Sequence, residues 1–264
     1  MQDKTILTEQ CAGYRVITLH RPQRLNAFCE AMQRELRHAV DEAEADPDCR
    51  ALLITGYGRA FCSGQDLNER VGKDGKTLVS GSALDTYYNP LIRKLRALPF
   101  PVIAAVNGIA AGAGANVALA CDLVLAARSA SFTQAFIRIG LMPDCGGTWF
   151  LPRLVGLARA RALAFTGEPL PAEKAEAWGL IWKAVDDGML LEEAHKLCRH
   201  FASAPAVALA LTKRALDESW SNDLDTQLDL ERESQREAGL SPDFAEGVQA
   251  FLQKRPPVFM SRRE

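Results

Sequence analysis

The chain has 264 residues, 48% hydrophobic and 24% charged, enough apolar material for a sizeable core and too much for a disordered protein. Its formal net charge is −2 with both signs mixed along the chain, whereas a nucleic-acid binder usually carries a basic excess. No run of about 18 apolar residues appears. The nearest stretch, 102–127, is interrupted by Asn107 and Asn116. The opening MQDKTILTEQ lacks the basic-then-apolar pattern of a secretion signal. These features together lead us to expect a cytoplasmic protein that binds neither nucleic acid nor membrane.

Length allows one large α/β domain or a domain with an appended helical piece. Residues 14–19 (YRVITL) form a β-branched run ending before Arg21-Pro22 and read as a strand. Over 26–45, apolar residues recur at helical spacing (Ala27, Met32, Leu36, Ala39, Val40, Ala43), and Pro47 closes that helix. Residues 51–55 (ALLIT) are a wholly apolar strand of the kind buried on both faces. The stretch 71–82, rich in Gly, Lys and Ser, is expected to be mobile. A helix over 84–98 is closed by Pro99 and Pro101, and a second buried strand (VIAAV) covers 102–106. A Gly/Ala-rich turn, a helix through 116–120 and a strand over 122–127 follow. This alternation predicts an α/β fold. After 148 the pattern changes: 153–166, 171–178, 189–203, 205–220 and 222–238 read mostly as helices. The expected division is a core over 1–200 and a helical carboxy-terminal region over 201–264.

Seven cysteines (11, 29, 49, 62, 121, 145, 198) are odd in number, widely spaced and form no Cys-x-x-Cys pair. Neither a disulfide framework nor a zinc site is expected. His195 and His200 are five residues apart, off one helical face, so they do not make a metal pair. A P-loop and Gly-x-Ser-x-Gly are both absent. Gly112-Ala113-Gly114 does not extend to a dinucleotide fingerprint: the third glycine position holds Val117, and 129–143 contains no acidic residue.

Two loops and one aspartate are the candidates for chemistry. The segment 60–67 (AFCSGQDL) directly follows a buried strand, at the carboxyl edge where α/β proteins bind ligands. Gly64 permits a turn that presents bare N–H groups, although an ordinary glycine connection explains the same residues. The segment 106–116 (VNGIAAGAGAN) also follows a strand and opens a helix. Two such loops, each supplying one N–H, fit an oxyanion hole, where each donor is worth about 2.7–4 kcal/mol of transition-state stabilisation. Close helix packing over small residues is the alternative. Asp144 is the only charged residue between Arg138 and Arg153, flanked by apolar residues and glycines. Poor solvation makes a carboxylate a stronger base; capping the helix that begins near Gly147 is the other reading.

Taken in order, these segments resemble the crotonase (enoyl-CoA hydratase/isomerase) superfamily along almost the whole chain. The matching pieces are Arg21-Pro22 with Asn26-Ala27, the 60–67 loop, 101–108 (PVIAAVNG) followed by Gly112-Ala113-Gly114, and Cys121-Asp122-Leu123. Further on come 140–143 (GLMP) with Gly146-Gly147, Ala175 to Gly179-Leu180, and Glu246-Gly247 through Phe251 and Lys254-Arg255. The resemblance implies a spiral of ββα turns followed by a helical carboxy-terminal region that mediates assembly into a homotrimer or a dimer of trimers. It implies acyl-CoA substrates, with no metal or redox cofactor. By position, the backbone N–H groups of Gln65 and Ala113 form the oxyanion hole. Arg24, Ala27, Ala60, Cys62 and Gly64 line the CoA site, and Phe251 and Lys254 reach the CoA of a neighbouring subunit.

Hydratases of this family use two glutamates, and those positions here carry Asn116 and Phe136, neither of which exchanges a proton. Asp144 falls where several isomerases of the family place a catalytic aspartate. An acyl-CoA isomerase working through one carboxylate is therefore expected. The alternatives are hydration or another crotonase reaction, and a non-catalytic acyl-CoA-binding protein. The pieces 63–68, 88–91, 142–149 and 225–231 are most similar to the branch that isomerises the ring epoxide of a phenylacetyl thioester, which also implies shifting the double bond of a dehydroadipyl thioester.

Overall fold

A computed structural model of the chain describes residues 4–70 and 81–259. Most of the expected mobile stretch 71–82 lies outside them. The elements in chain order are β1 (Ile6–Cys11), β2 (Tyr14–Leu19), α1 (Glu30–Ala45), β3 (Leu52–Gly56) and β4 (Ala60–Cys62). There follow α2 (Gly81–Ala83), a π-helical turn (Leu84–Tyr88), α3 (Asn89–Ala97), β5 (Val102–Val106), β6 (Ile109–Ala111) and α4 (Ala113–Leu119). Then come β7 (Leu123–Ala127), β8 (Ser131–Thr133), α5 (Gly147–Thr166), β9 (Leu170–Pro171), α6 (Ala172–Trp178) and β10 (Lys183–Val185). The chain closes with α7 (Leu190–Ala202), α8 (Ala206–Glu218), α9 (Leu224–Gly239) and α10 (Pro242–Leu252).

The strands form two sheets, one of six in the order β1-β2-β3-β5-β7-β10 and one of four in the order β4-β6-β8-β9. Successive pairs β3/β4, β5/β6 and β7/β8 each place one strand in the larger sheet and the next in the smaller, so the chain winds as a spiral. Within the larger sheet every pairing from β2 to β10 is parallel. All five residues of β3 and of β5 are buried, which is why their sequences read as unbroken apolar runs. Edge strand β1 is largely exposed and carries Glu9, a charge that discourages pairing with another chain. Asn107 stitches adjacent turns of the spiral: its Oδ1 accepts from Gly56 N at 3.1 Å and its Nδ2 donates to Gly58 O at 2.7 Å.

Helix α1 buries Met32, Leu36, Ala39, Val40 and Ala43, the stripe expected from periodicity. Each fully buried large apolar side chain of this kind contributes about 1.5–3 kcal/mol. The helix begins four residues later than the spacing suggests, because Asn26 is left-handed (φ 55°) and Phe28 forms a parallel bridge to Gln65. Helix α5 begins earlier than expected and is kinked at Gly156, whose φ of 76° and ψ of 160° are non-helical, after Pro152. Helix α4 is buried at all seven positions. It lies directly on β4: a Cβ on Gly114 would stand 2.3 Å from the Cys62 carbonyl oxygen.

Helix α7 buries Leu190, Ala194 and Cys198 against the large sheet. Lys213 ties α8 to the core, donating to Leu95 O (3.0 Å), Phe100 O (3.3 Å) and the Asp122 carboxylate (2.8 Å). Leu240, Phe244, Phe251 and Leu252, in and beside α10, are exposed. No described helix is long and apolar enough to cross a membrane.

Candidate active site

The loop between β2 and α1 is held as a rigid shelf. Buried Asn26 accepts from Arg21 N at 2.8 Å and donates to Tyr57 O at 3.0 Å and Ala60 O at 2.7 Å. The Arg21 guanidinium donates to Ala27 O at 2.6 Å and to the Asp66 carboxylate at 3.0 Å. Asp66 also accepts from Asn68 N (3.1 Å) and Asn68 Nδ2 (2.8 Å). Burial pushes the Asp66 carboxyl upward, but the bonds from Asn68 and Arg21 outweigh it and hold the group below its ordinary value. Asp66 is thus a structural clamp between the shelf and the 62–66 loop.

Against this shelf the fold gathers most of the residues expected at the site. Arg24 is exposed at the tip of the shelf, and its carbonyl accepts from Ala27 N (3.0 Å) and Ser63 Oγ (3.3 Å). Ala27, Ala60 and Cys62 are buried beneath. Gly64 has φ of 97°, and a Cβ there would meet Ala111 O at 2.9 Å and Ala113 N at 3.6 Å. The loop after β4 therefore touches the start of α4, bringing Gln65 and Ala113 together from 48 positions apart. The bridge to Phe28 uses the Gly64 carbonyl (2.7 Å) and the Asp66 N–H (2.9 Å), leaving the Gln65 N–H out of the ladder. Ala113 is the first residue of α4, where an N–H has no acceptor within its own helix.

The Gln65 side chain is pinned. Its Nε2 donates to Phe28 O (3.2 Å) and Asp66 O (3.4 Å), and its Oε1 accepts from the Tyr88 hydroxyl. Tyr88 is buried in the π-helical turn and meets Phe28 edge to face at 5.8 Å between ring centroids. Burial above all, with Cys145, Cys62 and the Asp144 carboxylate adding to it, pushes the Tyr88 phenol well upward, so it remains a neutral donor. The Phe136 ring covers Gly112, 3.7 Å from where its Cβ would stand.

Asp144 precedes two consecutive left-handed residues, Cys145 (φ 51°) and Gly146 (φ 80°). The N-cap position of α5 is Gly146, and the Asp144 carbonyl receives Gly147 N at 2.8 Å. That carbonyl also accepts from Asn116 Nδ2 at 2.8 Å, and Asn116 Oδ1 accepts from Gln134 Nε2 at 2.8 Å. Burial pushes the Cys62 thiol up to about 12 and that of Cys145 higher still, the Asp144 charge adding to the latter. Neither supplies a thiolate at neutral pH.

Phe251 and Lys254 are exposed at the far end of α10. The segment after them returns to the start of β3, where Arg50 donates to Phe259 O at 3.3 Å, the opposite end of that strand from the site. An open cleft of about 1360 Å³ runs between α3, α5, α8 and the approach to α10, lined by Arg96, Trp149, Phe150, Lys213 and Leu240. It reaches Gly146 but not Gln65 or Ala113, so the two loops brought together at Gly64 lie outside it. A structural hydrogen bond is what the place of Asp66 in its loop suggests, but its partner Arg21, the Tyr88–Gln65 bond and the Gln134–Asn116 bond were not legible, because each joins residues far apart in the chain.

Residues 9–262 match the enoyl-CoA hydratase/isomerase family. The chain is 52% identical over 258 residues to a 1,2-epoxyphenylacetyl-CoA isomerase of Escherichia coli, covering 97% of this chain and 98% of that protein. It is 50% identical over 262 residues to a protein of Rhodobacter capsulatus named "Probable enoyl-CoA hydratase", covering 99% of this chain and all of that one. The crystal structure of an enoyl-CoA hydratase from Polaromonas sp. JS666 superimposes with a TM-score of 0.90 at 34% identity, covering 97% of this chain and 99% of that one. The spiral of paired strands, the helical carboxy-terminal region and these likenesses agree: the chain belongs to the enoyl-CoA hydratase/isomerase family, the crotonases, enzymes that act on coenzyme A thioesters.

Proposed function

We propose that this enzyme is an acyl-CoA isomerase that works with one carboxylate. The observation that carries the reading is the placement of Asp144, which is bonded through its carbonyl to Asn116 on the helix whose first residue is Ala113. Asn116 and Phe136 occupy the positions where hydratases of the family use glutamates, and neither moves a proton. The thioester carbonyl accepts from the N–H groups of Gln65 and Ala113. Asp144 removes a proton from the α carbon, the electron pair moves onto the thioester oxygen as an enolate, and the double bond migrates. Asp144 then returns the same proton to the γ carbon, converting a 3-enoyl-CoA to a 2-enoyl-CoA. The relative in Escherichia coli supports a ring-1,2-epoxyphenylacetyl-CoA substrate, isomerised to an oxepin-CoA after the same α-proton removal.

Arg24, Ala27, Ala60, Cys62 and Gly64 frame the CoA side of this site. The chemistry needs no metal or redox cofactor, since coenzyme A arrives as part of the substrate. The exposed apolar residues of α10 support assembly into a homotrimer or a dimer of trimers, with Phe251 and Lys254 reaching the CoA of a neighbouring subunit. A second reading, hydration, is supported by the name of the Rhodobacter capsulatus relative. Assaying isomerisation of a 3-enoyl-CoA beside hydration of crotonyl-CoA separates the two. Isomerisation at the faster rate supports our proposal, and faster hydration favours the second reading.

A further inference from the structure

Asn116 is entirely buried, and its amide is engaged in both directions. Nδ2 donates to the Asp144 carbonyl and Oδ1 accepts from Gln134 Nε2, each at 2.8 Å. With the Gly147 N–H as second donor, the peptide unit after Asp144 is held by two hydrogen bonds. The next residue, Cys145, is a non-glycine in the left-handed region, a conformation that persists only where its surroundings over-determine it. The loop is also pressed onto the amide, for a Cβ on Gly147 would stand 2.4 Å from Asn116 Nδ2. Gln134, itself buried, keeps its Nε2 on the Asn116 amide, which fixes the direction in which Nδ2 points.

We propose that Asn116 is a positioning residue whose bond to the Asp144 carbonyl fixes the direction of the Asp144 carboxyl against the acyl chain. The proposal rests on the isomerase reading. A single carboxylate that takes a proton from one carbon and returns it to another must face both, so its aim matters more than in a site with two acids. A carboxylate at 116 would lose the donor and set charge against a carbonyl oxygen, which accounts for an amide here.

The test uses Asn116→Asp, which keeps the shape and the acceptor for Gln134 but removes the donor, and Gly147→Ala, which drives a methyl group into the amide without altering Asn116. For each, 3-enoyl-CoA isomerisation is measured with butyryl-CoA affinity and the red shift of a bound aryl-acryloyl-CoA, which reports polarisation of the thioester carbonyl. The expected result is a fall in kcat on the order of 10- to 100-fold, with KM, butyryl-CoA affinity and the red shift as in the wild type. Unchanged kcat in both variants overturns the proposal. So does a loss shared with KM and the red shift, which would mean that Asn116 only supports α4. If Asn116→Asp does not fold, Gly147→Ala decides by the same criteria. Asp144→Asn, run alongside, separates the two claims. If that variant stays active the assignment of Asp144 as the single acid/base is wrong, whereas an inactive Asp144→Asn with both other variants unaffected removes only the positioning role.

Discussion

The hydroxyl of Tyr88 donates to the side-chain carbonyl of Gln65, so a residue of the π-helical turn braces one of the two candidate oxyanion donors from behind. Tyr88 is buried, and its ring packs edge to face on Phe28, which itself bridges to Gln65. Removing the hydroxyl leaves a part-buried acceptor unpaired, at a cost of up to about 1–3 kcal/mol. Tyr88→Phe is therefore expected to lower stability by that amount in a denaturant titration and to reduce kcat with little change in KM. Retention of both full stability and full activity would show that the brace is dispensable.

Gly64 is the contact between the two loops. With φ of 97° and the Ala111 carbonyl 2.9 Å from the position of a Cβ, a side chain there both strains the backbone and pushes the loops apart. Gly64→Ala is expected to separate the N–H groups of Gln65 and Ala113. Loss of one such donor costs roughly 100- to 1000-fold in kcat. Steady-state kinetics on a 3-enoyl-CoA read this directly, and a loss below about 10-fold would argue that the pair does not hold the oxyanion.

Acid should loosen the shelf. The folded-state Asp66 carboxyl lies below its unfolded value, held there by Asn68 and Arg21. Its stabilising contribution is therefore complete at neutral pH and down to about pH 4, and is lost as pH falls further through the folded value. Glu246, bonded to Arg255 and held at about 2, is lost over the same range, so Asp66 accounts for only part of the decline. Melting temperature followed from pH 6 to pH 2 should fall less steeply in Asp66→Asn than in the wild type below about pH 4. Parallel curves would mean that the clamp carries no net stability.

Thiol reagents distinguish the proposed mechanism from covalent thioester hydrolysis. Cys62 and Cys145 are buried and remain protonated, so iodoacetamide at pH 8 should leave isomerase activity intact in the folded enzyme. Rapid inactivation protected by butyryl-CoA would point instead to a cysteine nucleophile.

The central strands were legible because residues 52–56 and 102–106 are buried on both faces, which forces uninterrupted apolar runs. The three-residue strands β4, β6 and β8 were not, since three residues are too few to show a period of two. The repeat of the spiral was hidden for a related reason: burial constrains polarity, not identity, and Asn107 and Gly56 stitch turns without recurring in each. At the site, Asp144 stood out as a lone charge among glycines, yet its local context allowed a capping reading equally, and the two left-handed residues that follow it leave no local signal. Gln65 and Ala113 carry their candidate chemistry on main-chain N–H groups, which no side-chain pattern reveals, so family resemblance alone singled them out. Asn116 read as a missing acid left with packing, or with orienting the thioester or a water, as its role. Only the fold shows it joined to the aspartate 28 positions on.

The most direct test of the account is isomerisation of a 3-enoyl-CoA by the wild-type enzyme and by Asp144→Asn, with butyryl-CoA binding measured on both. The account predicts turnover by the wild type, none above background in the variant, and equal affinity for the ligand. Turnover surviving in Asp144→Asn would contradict it and leave the family assignment standing with the wrong catalytic residue.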